Sequence, residues 1–224
     1  MVAVTASLAS YSPPTPPSEP SVNASDMPSN SAKLSSVAVT PARQPARHIW
    51  VITGPAGCGK TSVAESLQNV FSLPYLEGDT FHTPENVEKM ANGHPLTDAD
   101  RWDWLIVLRE QALNALVSNP SSSGVIVTCS ALKRKYRDVM RIASYYHPNV
   151  QVHFIFLNAT EALLIDRVRA RKGHYMKDSM VRSQFQSLET PQSDEVDIIS
   201  VDASGTSTEV QNLSVDIVRK MMSL

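Results

Sequence analysis

Eight consecutive residues carry the clearest chemistry in this sequence. Gly54-Pro-Ala-Gly-Cys-Gly59-Lys60-Thr61 matches the pattern G-x-x-x-x-G-K-[ST]. Gly54, Pro55, Ala56, Gly57, Cys58 and Gly59 form a loop whose glycines let main-chain N–H groups turn inward around an anion without Cβ clashes. A helix opening at Lys60 aims the positive end of its dipole at the same anion. Lys60 is then expected to reach the β- and γ-oxygens of a bound ATP, and the Thr61 hydroxyl to ligate its Mg²⁺. A plain glycine turn with an exposed lysine would leave the threonine without a reason. Cys58 sits at a free position of the pattern.

Such a loop works only between a buried strand and a helix, and the surrounding sequence supplies both. Ile49-Trp-Val-Ile-Thr53 reads as a buried strand running straight into the glycines. Leu73–Gly78 is a weaker second strand, Gly124–Cys129 and Val150–Leu157 are the third and fourth, and Val196–Val201 is the fifth. Helical patterns lie between them. Thr97-Asp-Ala-Asp100 reads as a capping box, followed by Leu105, Leu108, Ala112 and Leu116 along one face. Tyr136, Val139, Ala143 and Tyr146 repeat the spacing, Leu164 and Val168 face inward after Thr160, and Thr206-x-x-Glu209 caps a last helix ending near Met222. Alternating strands and helices imply a parallel sheet covered on both faces. The expected fold is α/β: a three-layer α/β/α P-loop domain with a five-stranded parallel sheet, like the nucleoside-monophosphate kinases, over residues 47–224. Residues 1–46 read as a disordered tail, because Tyr11-Ser-Pro-Pro-Thr-Pro-Pro-Ser-Glu-Pro20 and the Ser/Thr/Asn-rich stretch after it bury too little apolar surface to order themselves.

Absences narrow the class. The sequence has no Asn-Lys-x-Asp guanine reader, and the third strand ends in Thr128-Cys-Ser-Ala-Leu-Lys133 without the carboxylate that motors and helicases place there. The acidic candidate is Asp79, directly after the second strand, where small P-loop kinases hold the acceptor.

At this point the sequence resembles one family. Glu77-Gly-Asp-Thr-Phe-His82, Asn86-Val-Glu-Lys-Met-Ala-Asn-Gly-His-Pro-Leu-Thr-Asp-Ala-Asp-Arg101, Cys129-Ser-Ala-Leu-Lys-Arg-Lys-Tyr-Arg-Asp138, Arg169-Ala-Arg-Lys-Gly-His174 and Gln184-Phe-Gln-Ser-Leu-Glu189 through Asp194-Glu-Val-Asp197 are similar to the gluconokinase signature. The match runs in order from about Ile49 to Arg219 and leaves out the N-terminal tail. The resemblance implies transfer of phosphate from ATP to the 6-hydroxyl of D-gluconate, usually by a homodimer, with 6-phosphogluconate passing to the pentose phosphate pathway. Shikimate-kinase-like or nucleotide-monophosphate-kinase-like activity, and a catalytically silent P-loop binding module, are the alternatives.

A polyhydroxy carboxylate needs a cation for its carboxylate and polar groups for its hydroxyls. Asp79 is the candidate to bind and orient the 6-hydroxyl, with a strand-end turn residue as the plainer alternative. His82 lines the same pocket or packs as a turn histidine. Lys89 and Arg101 border the segment that folds over the acceptor in related kinases, and Arg–carboxylate pairing can be bidentate. Asp98 and Asp100 read as first-turn helix acids. Lys133 and Arg137, as i and i+4 of one face, are expected to point inward, with Arg134 and Lys135 in solvent. Arg167 and Arg171 share a face of a second basic cluster that resembles a kinase lid, and could offset transition-state charge.

The remaining composition fits a kinase acting on a small molecule. A net charge of −2 offers no general attraction to nucleic acid or to an anionic membrane. No apolar run approaches the roughly 20 residues of a spanning helix. Two cysteines far apart suit a reducing compartment, and the first residues lack a secretory pattern, so a cytoplasmic location is expected. His48, His147 and His153 lack metal-ligand spacing.

Overall fold

The computed structural model describes residues 45–170 and 178–223. Residues 1–44 of the expected tail, Arg171, and the adjoining Lys172, Gly173 and His174 lie outside them. Among the described residues, five strands form one parallel sheet in the order β2-β3-β1-β4-β5: β1 (Arg47–Thr53), β2 (Tyr75–Glu77), β3 (Gly124–Thr128), β4 (Val150–Asn158) and β5 (Ile198–Asp202).

The strands are apolar on both sides, as a doubly covered parallel sheet requires. In β1, Trp50 and Ile52 face one layer while Ile49 and Val51 face the other. The first layer is built from α1 (Lys60–Phe71), α5 (Glu161–Ala170) and α7 (Ser207–Met222), through Val63, Leu67, Leu164, Val168, Val210 and Val218. The second comes from α3 (Ala99–Ser118) and α4 (Arg134–Tyr146), through Leu105, Leu108, Ala112, Leu116, Tyr136, Met140 and Ala143. The expected inward residues of α3 are therefore all buried, and Trp104 joins them. Tyr146 does not: it is 72% exposed, and Met140 is buried with Tyr136 and Ala143 in its place.

Both capping boxes form. Thr206 Oγ1 accepts from the Glu209 N–H at 3.3 Å and Glu209 returns to the Thr206 N–H at 2.7 Å. Around Thr97 the same exchange involves Asp100 (2.6 and 3.4 Å), with the regular helix beginning at Ala99. Two helices without a predicted counterpart also appear, α2 (Pro84–Ala91) and α6 (Asp178–Ser187). Among the described residues, no helix is long and apolar enough to cross a membrane.

Toward the N-terminal ends of the strands, His48 Nδ1 and His153 Nε2 lie 3.0 Å apart, and both rings stack on Trp50. Burial, reinforced by His48 and opposed by Asp197, lowers the His153 pKa from 6.5 to about 4. The folded chain thus keeps His153 neutral where the unfolded chain would bind a proton. Stability is full above pH 6.5 and falls as pH drops from 6.5 toward 4, by on the order of 2–3 kcal/mol. Urea unfolding across that window is expected to show this decline, and His153→Phe to flatten it. An unchanged slope in the variant would place the acid sensitivity elsewhere.

Candidate active site

The phosphate loop caps the C-terminal end of β1. It is tied to the loop after β3: Thr53 Oγ1 donates to the Ser130 carbonyl at 2.6 Å, and the Gly54 N–H reaches the same oxygen at 3.4 Å. Gly59, at the N-cap of α1, has φ 101° and ψ 20°, a left-handed conformation that a side chain would strain. Lys60 Nζ donates to the carbonyls of Gly54 (3.0 Å) and Pro55 (3.2 Å), so the ammonium is held against the inside of the loop. The loop's geometry and donors fit a polyphosphate.

Residues from several other elements converge on this loop around one cavity. Its wall includes Ala56, Gly57, Gly59, Lys60 and Thr61 from the loop and α1, and Asp79, His82 and Arg101 from across the sheet edge. Asp79 lies in a short 3-10 turn, Gly78–Phe81, that follows β2 directly, and His82 is the extended residue that ends it. The turn is fixed at Gly78, whose N–H donates to Thr128 Oγ1 (3.0 Å) and whose carbonyl accepts from Trp104 Nε1 (2.8 Å). Any side chain at Gly78 would meet the Thr128 carbonyl oxygen at 2.0 Å, so only glycine lets the turn lie this close to β3. Arg101 stands in the first turns of α3, with its guanidinium 5.6 Å from the centre of the Tyr136 ring.

His82 stacks on Trp104 with ring centres 4.2 Å apart. Burial lowers its pKa, with Arg101 adding to the effect and Asp79 opposing it, so the ring is neutral at physiological pH. Its Nδ1 is buried and has no hydrogen-bond partner among the described residues. The packed and cavity-lining readings of His82 therefore both describe it.

The fold holds four expected site cations away from this cavity wall. Arg137 is 1% exposed and points away from the cavity, giving Nε and Nη2 to Glu195 (2.8 and 2.6 Å) and Nη1 to the carbonyls of Ala131, Leu132 and Glu189. The i, i+4 argument fails because Lys133 is extended (φ −102°, ψ 149°) and α4 begins only at Arg134. Lys133 pairs with Asp98 at 2.8 Å, an aspartate shared with Lys135 and the Tyr136 hydroxyl. Lys89 pairs with Asp100 at 2.5 Å. Neither lysine lines the cavity. These cations hold the carboxyls of Asp98 and Asp100 well below the usual carboxylate range.

Arg167, expected to offset charge on the transferring phosphoryl group, donates instead to the carbonyls of Ala203 (2.8 Å), Ser204 (3.3 Å) and Gly205 (2.8 Å). It borders a second cavity, behind the phosphate loop, with Gly57, Cys58, Ser62 and Thr206. Burial pushes the Cys58 thiol up, which leaves it a poor nucleophile.

Two residues missed in the sequence belong to the main cavity. Glu77 accepts from Thr61 Oγ1 at 3.1 Å, and from the hydroxyls of Tyr75 and Thr128. A hydroxyl and a carboxylate this close are hard oxygen donors of the kind that suit Mg²⁺. The Glu77-x-Asp79 spacing at a strand end was the available signal. Gln184, on α6, accepts from the Ala56 N–H at 2.7 Å; it opens the stretch Gln184–Glu189 that carries the family resemblance, but its type and spacing gave no role.

No family model matches the chain. A curated protein of Schizosaccharomyces pombe named "Probable gluconokinase" is 41% identical over 185 residues, covering 83% of this chain and 95% of that one. The thermoresistant gluconokinase of Escherichia coli is 36% identical over 173 residues, with coverage of 77% and 94%. Among solved structures, a gluconokinase from Sinorhizobium meliloti aligns with a TM-score of 0.67 at 35% identity, over 80% of this chain and 94% of that one.

Proposed function

Because the chain belongs to the gluconokinase family, we propose that it transfers the γ-phosphoryl group of ATP to the 6-hydroxyl of D-gluconate, giving 6-phospho-D-gluconate and ADP. The observation that carries this is one cavity wall holding both a phosphate-binding set, Lys60 and Thr61, and an acceptor set, Asp79, His82 and Arg101.

Phosphoryl transfer asks little covalent chemistry of the protein and much positioning. The loop amides and Lys60 hold the phosphates and neutralise charge as the bond to the leaving oxygen lengthens. Thr61, with Glu77 beside it, would hold Mg²⁺, which would supply positive charge to offset that of the phosphates. The Asp79 carboxylate accepts a hydrogen bond from the 6-hydroxyl, aligning its lone pair with phosphorus, and takes the proton as the new P–O bond forms. Arg101 offers a planar cation to the sugar-acid carboxylate, and the unpartnered Nδ1 of His82 suits a hydroxyl. Arg171, outside the described residues, remains the proposed lid arginine. A cytoplasmic homodimer feeding the pentose phosphate pathway completes the reading, as the family resemblance implies.

The decisive assay supplies ATP, Mg²⁺ and gluconate and couples product to 6-phosphogluconate dehydrogenase. Preference for shikimate or a nucleoside monophosphate in the same panel would refute the proposal. Asp79→Asn, which keeps shape and removes the charge, is expected to lower kcat with gluconate by about 10²–10⁴-fold, the range for a positioned acid–base group. ATP affinity, followed by calorimetry, should stay near wild type. Equal loss of nucleotide binding would instead place Asp79 on the metal.

A further inference from the structure

The Ala56 amide has a partner that a phosphate loop does not need for its own fold. Two other loop amides go to main-chain carbonyls: Cys58 N–H to Pro55 at 3.3 Å, and Gly54 N–H to Ser130 at 3.4 Å. The Ala56 N–H alone of these three goes to a side chain, Gln184 Oε1, from a helix 128 positions away. The donor is a backbone N–H, so the carboxamide oxygen must face the loop. The same amide lines the cavity in which Lys60, Asp79 and Arg101 meet.

We propose that Gln184 is a built-in stand-in for phosphate: its carboxamide oxygen satisfies the Ala56 N–H until a nucleotide phosphate oxygen displaces it. This rests on the loop being the ATP phosphate site, and adds a residue that sets how tightly the loop takes phosphate.

Three features fit that role. The acceptor is neutral, whereas a phosphate oxygen is charged, and charge-assisted hydrogen bonds are roughly twice as strong as neutral ones. The exchange therefore runs toward phosphate. A glutamate here would bind the amide as strongly as phosphate does and would repel it. Second, the helix is anchored where the residue leaves it. Met180 and Val181, one turn earlier on the same face, are 7% and 0% exposed, and Phe185 packs on the same core cluster. Release needs only rotation of the Gln184 side chain. Third, the bond keeps a cavity-wall amide satisfied while the site holds no nucleotide, where an unpaired, largely buried donor would be costly.

The test compares wild type, Gln184→Glu and Gln184→Met as full-length chains. A non-hydrolysable ATP analogue and adenosine are titrated by calorimetry, and each protein is melted with and without the analogue. Gln184→Glu is expected to bind the analogue at least about tenfold more weakly, equivalent to keeping one charge-assisted bond that must otherwise be exchanged. Its nucleotide-free Tm should equal or exceed wild type, and its adenosine affinity should be unchanged. Gln184→Met should melt lower without ligand, bind the analogue as tightly as wild type or tighter, and gain more Tm on binding. The inference is overturned if Gln184→Glu binds the analogue within about twofold of wild type, or if both variants weaken it equally. Equal weakening of adenosine and the analogue in Gln184→Glu would overturn it too. Wild type that binds no analogue would sink the kinase reading together with this one, whereas insensitive variants of a wild type that binds would sink this one alone.

Discussion

Lys60→Met is expected to reduce kcat with gluconate by at least about 10²-fold, the scale for removing one preorganised donor to developing charge. The ammonium already lies inside the loop, bonded to the Gly54 and Pro55 carbonyls, so it needs little reorganisation to meet the phosphates. Methionine keeps the length of the stem and much of its packing while removing the charge. The loss should appear in kcat more than in the KM for gluconate, because the charge it offsets grows as the phosphoryl group transfers. Steady-state kinetics with both substrates varied would separate these effects. A variant that turns over within a few-fold of wild type would remove Lys60 from the chemistry and, with it, the main argument for the loop's role.

The second large effect concerns stability. Arg137→Leu is expected to lower the unfolding free energy by about 3–5 kcal/mol, the range for leaving one member of a buried ion pair unpartnered. The side chains of Arg137 and Glu195 are 2% and 1% exposed, and Arg137 also closes off three backbone carbonyls. Arg141 still reaches Glu195 at 2.8 Å, which places the loss toward the lower part of that range. The double variant Arg137→Leu/Glu195→Leu should recover part of the loss, since no carboxylate is then stranded. Urea denaturation of the three proteins tests this, and a double variant no better than the single one would assign the cost to the carbonyls.

The same pair has an acid signature. Arg137, assisted by Arg141, lowers the Glu195 pKa from 4.5 to about 2. Its contribution is therefore complete above pH 4.5 and is lost as pH falls toward 2, a window below that of His153.

Arg137 also shows why charged residues were the hardest to place from sequence. A cation at i+4 from another, after a strand at the ligand-binding edge of a parallel sheet, satisfies every local criterion for a site residue. It lies in the interior because a carboxylate 58 positions later reaches it through packing of α4 against the segment entering β5. Lys89, Lys133 and Arg167 were diverted in the same way, by Asp100, by Asp98 and by the carbonyls of residues 203–205. Arg101 alone of the described acceptor-side cations considered reaches the cavity.

What the sequence determined by itself was everything governed by short range. The phosphate loop, the alternation of buried strands and amphipathic helices, and the boxes at Thr97 and Thr206 depend on backbone freedom, hydrophobic period and bonds three residues apart. Tertiary structure alone decided which charges face the cavity, and it brought in Glu77 and Gln184. A charged or amide side chain has no preferred side until it meets its partner, and those partners lie on other elements of the fold.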